Sequence, residues 1–135
     1  MKTYVLRLHP GQDLRLELVK FAQENDIQAG FIISCVGSLK RAALRMAGQF
    51  GPVASFFEEK FEILSLVGTL SPDKPHLHIA LSNADAKMVG GHLQGGSLVD
   101  LTAEIIIGDL EDKVFRRELD TQTGFPELVV YPRGE

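Results

Sequence analysis

A chain of 135 residues with 44% hydrophobic content is long enough to bury one core and too short for several domains, so a single domain spanning residues 1–135 is expected. Its 18 acidic residues outnumber 14 lysines and arginines, giving a net charge of -4, which argues against a protein whose main work is gripping nucleic-acid phosphates. A lone cysteine excludes an internal disulfide, and the absence of an apolar leader or a membrane-length apolar run points to a cytoplasmic protein with no membrane partner.

In chain order, Tyr4–Leu8 alternates as a short strand and His9-Pro10-Gly11 breaks it, leaving His9 in an exposed turn. Asp13 then supplies an N-cap or first-turn acid. Leu14, Leu18, Phe21 and Ala22 fall on one face of an amphipathic helix over Asp13–Asn25, a face suited to packing on a sheet. Phe31–Val36 is a continuous apolar strand that holds Cys35 as a small buried hydrophobe, and Gly37-Ser38 is expected to end it. Lys40, Arg41 and Arg45 make Leu39–Ala47 the densest basic stretch. Gly48–Pro52 is a loop, and Phe56-Phe57 with Glu58-Glu59-Lys60 leads into the next strand.

Phe61–Leu70 and Leu77–Leu81 read as two strands joined by a Ser-Pro-Asp-Lys-Pro turn. Along Leu98–Ile107, Val99, Leu101, Ala103, Ile105 and Ile107 share an apolar face assigned to the core, while Leu98, Asp100, Thr102 and Glu104 share the other. Gly108–Asp112 has the composition of a hairpin connection, returning Val114–Leu119 as a strand with Arg116 and Arg117. Residues 121–135, with Gly124, Pro126 and Pro132, read as a C-terminal tail whose Leu128–Tyr131 segment is apolar enough to pack on a neighbour. One early helix followed by many strands on short turns argues an α+β fold with an antiparallel-dominated sheet and a packed helix.

The chemistry concentrates in His76, His78 and His92, three of the four histidines, at spacings of two and fourteen. Residues two apart on a strand share a face, about 7 Å apart along it, a workable bite for one ion between two imidazoles. The Gly90-Gly91 pair permits a sharp turn and a close approach of backbones, bringing His92 alongside. Three imidazoles with an open position suit zinc, and imidazole also suits copper, iron and nickel. The bland alternative is a polar strand face plus a histidine satisfied by a carbonyl. A catalytic role would also need a base. Asp85, Asp100 and Glu104 are the candidates by type, the last two also as acceptors for imidazole N–H groups. Gly37-Ser38-Leu39, Ser65 and Thr69 are pocket-lining candidates.

The segments FEILSLVGTLSP and HLHIALSNADAKMVGGHLQGG, with Ser34–Leu39 and Ala42–Arg45 upstream, closely resemble the PPC domain, the plants and prokaryotes conserved domain, over about Tyr4 to Glu118. The resemblance, to the free-standing prokaryotic type, implies a curved antiparallel sheet carrying a helix and a homotrimer. It also implies a DNA-associated regulatory role, since plant members carry AT-hooks. This chain has no Arg-Gly-Arg-Pro core, and only Lys40, Arg41, Arg45, Arg116 and Arg117 offer a basic surface. The competing function is a metal-dependent enzyme of hydrolase or lyase type, taking a small-molecule ligand at the metal.

Overall fold

The computed structural model describes residues 1–134. Nine strands and one helix follow in the order β1 (Lys2–Leu8), α1 (Leu14–Glu24), β2 (Gly30–Arg45), β3 (Ser55–Phe57), β4 (Phe61–Leu70), β5 (His76–Asn83), β6 (Met88–Leu93), β7 (Leu98–Asp109), β8 (Lys113–Leu119) and β9 (Pro126–Pro132). The main sheet runs β1-β7-β2-β4-β5-β6, with every pairing antiparallel, and β3 pairs with the far half of β2. The α+β expectation holds.

Helix α1 begins where the sequence placed it. The Asp13 carboxylate accepts from the Leu16 N–H at 3.0 Å, and its second oxygen accepts from the Gly96 N–H at 2.7 Å. The cap therefore also ties the helix start to the β6–β7 turn. Leu14, Leu18 and Ala22 are buried on the sheet, joined by Ile105 and Ile107 of β7 and Leu77, Ile79 and Leu81 of β5. No helix among the described residues is long and apolar enough to cross a membrane.

Four sequence expectations change. Gly37-Ser38 does not end a strand: β2 runs through it, 16 residues in all from Gly30 to Arg45. The reason is a bulge. The register against β7 shifts between Gly37 and Leu39, and β7 spends four positions, Val99 to Ala103, where β2 spends two. The same bulge ejects Leu101, expected in the core, to 65% exposure, and its N–H donates to the Ser38 hydroxyl at 3.1 Å. Third, β8 does not return along β7. Both edges of β7 are already occupied at that end, where Asp109 pairs with Lys2 of β1 and Gly30 of β2. With no free ladder, the chain turns away at Leu110. Fourth, the segment read as a tail contains β9, which pairs with β8 from Lys113↔Pro132 to Leu119↔Pro126 as a separate two-stranded sheet. That ribbon is anchored by Arg133, whose Nη2 donates to the buried Asp109 carboxylate at 2.8 Å. Cys35 is half-buried, and burial pushes its thiol up to about 12, so it is inert packing.

The long β2 sets up the site. Its first half pairs with β7 and β4, while its far end pairs with β6 through Leu44↔Leu93 and Arg45↔His92. Strands β2, β4, β5 and β6 thus close on themselves.

Candidate metal centre

The ladder explains the meeting of the histidines. On β5, Leu77, Ile79 and Leu81 point into the core, so His76 and His78 both point outward by the two-residue period. His78 lies directly opposite His92 on β6, and His92 in turn lies opposite Arg45 on β2. The glycine pair has the expected use. A Cβ on Gly90 would stand 2.7 Å from the Ile79 carbonyl oxygen, and one on Gly91 2.9 Å from that of Arg45. Only bare backbone lets β6 fit between β5 and the end of β2.

The ring centroids of His76, His78 and His92 are 5.1, 5.4 and 5.8 Å apart. One nitrogen from each ring lies within 4.8 Å of the others. Donors around a tetrahedral zinc ion sit about 3.3 Å apart given zinc–nitrogen bonds near 2.0–2.1 Å. Rotation of the exposed His76 and His78 rings toward the half-buried His92 covers that difference, and three neutral nitrogen donors match the chemistry of a zinc-class ion.

Electrostatics favours the neutral, ligand-competent rings. His92 is held down to about 4, first by burial and then by the charges of Arg45, the other two histidines and Arg15. His76 is lowered too, first by burial and then by Arg117 and His78, with Glu127 opposing.

Three cavities of about 530, 340 and 400 Å³ adjoin the cluster. The largest is lined by His76 and His92 together with Arg15 of α1, Arg45 of β2, Lys74 of the β4–β5 turn and Arg117 of β8. Gln94, the stacked pair Phe50–Phe125 and Glu127 complete it. Sequence reasoning missed Glu127, the carboxylate on this wall, because it sits on β9 in the presumed tail. No local pattern signalled that β8 and β9 fold back beside His76.

The other residues singled out in the sequence lie elsewhere. Asp100 faces Lys60 at 3.9 Å, and Glu104 accepts from the Thr102 hydroxyl at 3.3 Å. Asp85 lies in the β5–β6 turn, where its N–H donates to Asn83 Oδ1 at 3.0 Å, beyond the Ser82–Met88 end of the ladder and more than four positions from the His78–His92 pair. None of the three lines a histidine cavity within the chain. Of the pocket candidates, Thr69 lines the second cavity and accepts from Arg117 Nη2 at 3.0 Å, whereas Ser65 and Gly37–Leu39 line none. The basic stretch is divided: Arg41 pairs with Glu58 at 2.8 Å, Lys40 is exposed and Arg45 turns into the cavity.

Comparison with known proteins closes the assignment. The bifunctional protein GlmU of Synechococcus sp. (strain JA-2-3B'a(2-13)) is 46% identical over 132 residues, covering 98% of this chain and 21% of that protein. The chain thus spans about a fifth of that relative's length. An Arabidopsis thaliana AT-hook motif nuclear-localized protein matches at 23% identity over 78% of the chain and 31% of its own length. Among solved structures, a hypothetical protein from Salmonella superposes with a TM-score of 0.94 at 39% identity, over 98% of this chain and 94% of that one. The metal-containing protein AF0104 from Archaeoglobus fulgidus superposes with a TM-score of 0.80 at 31% identity, over 96% and 94%. The family model described as the Plants and Prokaryotes Conserved (PCC) domain matches residues 1–111, everything up to the β7–β8 turn, and the chain belongs to that family.

Proposed function

We propose that this protein is a metal-holding member of its family, with His76, His78 and His92 as ligands to one divalent transition ion, zinc foremost. The observation that carries the reading is the convergence of three imidazole nitrogens within 4.8 Å at a cavity mouth. The archaeal relative described as metal-containing supports it. Bound there, a zinc ion supplies Lewis-acid activation of water or a carbonyl. Glu127, on the same cavity wall, is placed to exchange a proton with a ligand, which gives the hydrolase- or lyase-type reading its acid–base group. Metal content by plasma mass spectrometry tests the centre. Untagged protein prepared without chelators carries about one equivalent per chain, and His92→Ala or His78→Ala loses it. A full complement retained in both variants sinks the assignment.

The protein works as a homotrimer in the cytoplasm on this reading. Support comes from the outer sheet face, where Val5, Val36, Leu64, Val67 and Leu101 are all more than half exposed. Exposed apolar side chains gathered on one sheet face are a common mark of a protein contact. His76 and His78 project from that same face, beside Val67, the ladder partner of His78. Subunit contacts therefore adjoin the metal centre. The DNA-associated regulatory role is the second reading, favoured by the AT-hook relatives. Charge placement weighs against direct contact: the chain is acidic overall, Arg41 is paired, and Arg45 and Arg117 face the cavity. Regulation through protein partners fits the surface better. A duplex titration at two salt concentrations separates the cases, since phosphate contacts make affinity fall steeply with salt.

A further inference from the structure

The 530 Å³ cavity beside the histidines carries a charge opposite to that of the protein. A chain of net charge -4 places Arg15, Arg45, Lys74 and Arg117 around one concavity, against the single carboxylate of Glu127. The four cations come from four separate elements, so no local sequence run accounts for the cluster. Among the described residues none of them forms an ion pair, although like charges held together repel.

Two of the cations are fixed in place. Arg117 Nη2 donates to the Thr69 hydroxyl at 3.0 Å, while its Nε is buried with no hydrogen-bond partner. Arg45 Nη1 donates to the Gly51 carbonyl at 3.2 Å, which holds the guanidinium beside His92, its ladder partner. Phe50 and Phe125, whose rings stack at 5.4 Å with 12° between planes, give the cavity an apolar patch beside the polar Gln49 and Gln94. A cavity of this volume, with an apolar patch and a few convergent polar groups, is of the size that encloses a small molecule.

We infer that the cavity binds a small organic anion, its carboxylate or phosphoryl group held between Arg45 and Arg117 and its carbon skeleton laid against Phe50 and Phe125. Planar guanidinium groups pair with either anion through parallel hydrogen bonds, which is the chemistry the two groups share. The inference deepens the metal reading and rests on it for orientation, since the anion's head lies beside His76 and His92, where it meets the bound ion. Lys74, exposed at the rim, draws the anion in, and Glu127 selects against a second negative charge at its end of the cavity.

Calorimetric titration of the full chain with phenyl phosphate, benzoate and inorganic phosphate tests this, in chelated and in zinc-loaded protein. Zinc content is measured separately for each sample. Saturable binding of one aromatic anion per chain, tighter than inorganic phosphate, is the expected result, and the tighter of the two aromatic probes identifies the head group. Arg117→Gln and Arg45→Gln each weaken it about tenfold or more, the loss of a charge-assisted contact, and leave zinc content unchanged. Lys74→Gln, at an exposed position that cannot disturb the core, weakens it in the same direction if an arginine variant fails to fold. No saturable binding of either aromatic anion, or binding indifferent to all three substitutions, overturns the inference. So does a DNA duplex that displaces phenyl phosphate with steeply salt-dependent affinity. Anion binding by protein that takes up no zinc on loading defeats the metal reading alone, and zinc uptake without anion binding defeats the cavity assignment alone.

Discussion

Replacing Gly68 by alanine should damage both the fold and the metal centre, and the size of the damage follows from geometry. Gly68 sits in β4 opposite Leu77, one ladder step from His78 and one from His76. Its φ is +144°, where side chains are rarely accommodated. A Cβ there would stand 1.9 Å from the His76 carbonyl oxygen, against the 3.4 Å at which ordinary contact begins. The obstacle is backbone, so the two strands must part by more than 1 Å instead of a side chain swinging aside. Strain at such a dihedral costs about 1–3 kcal/mol and overpacking a further 1–3 kcal/mol, so the expected loss is about 4 kcal/mol. With a urea slope of about 1.5 kcal/mol per molar for a chain this size, the midpoint falls by about 2–3 M. Gly48→Ala is the control: its φ is +81°, but an added Cβ meets nothing within 4 Å. It should cost only about 1 kcal/mol. Both variants are unfolded in urea at one protein concentration, because any self-association would make apparent stability depend on it. Metal content is then compared under native conditions. His76 is carried by the displaced backbone, so Gly68→Ala should hold less metal than Gly48→Ala. Equal losses of stability and equal metal in the two variants would refute the reasoning.

Three other outcomes are expected. In chelator, stability should decline as pH falls below about 6.5 toward about 4, because His92 is depressed in the folded chain and the unfolded chain binds the proton first. Urea midpoints measured across that range should be flatter for His92→Gln, and an unchanged slope in the variant would assign the decline to other groups. Asp109→Ala should cost about 3 kcal/mol, since it strands the Ala29 N–H and the Arg133 guanidinium that its carboxylate satisfies at 3.1 and 2.8 Å. Arg133→Gln should cost less, because the arginine is the more exposed partner, and urea unfolding of the two ranks them. If the proposed trimer packs through the outer sheet face, Leu101→Glu should shift the protein toward monomer in light scattering with little loss of monomer stability, as this side chain makes no core contact in the single chain. A trimer unaffected by the charge would place the subunit contact elsewhere.

The sequence by itself determined what depends on neighbours along the chain. Alternation in Leu77–Leu81 put His76 and His78 on one face, the four-residue spacing of Leu14, Leu18 and Ala22 defined the helix, and Asp13 marked its start. These are short-range preferences, and a period of two or 3.6 residues expresses them without reference to the rest of the molecule. The glycine pair before His92 was legible too, since only a close backbone approach calls for two bare residues in a strand.

Tertiary structure decided everything that depends on which edges remain free and which bulges intervene. Leu101 carries the same alternation as Val99 and Ala103, yet a bulge against Gly37 turns it outward. Val114–Leu119 has strand character, but with β1 and β2 filling both sides of β7 it could pair only with the segment read as a tail. That pairing brings Arg117 and Glu127 to the cavity, while the far end of β2 brings Arg45 opposite His92. Residues 45, 76, 92, 117 and 127 meet only through ladder register and sheet closure. Both are long-range properties, set by competition among strands for hydrogen-bonding edges and not by any pattern local to the chain.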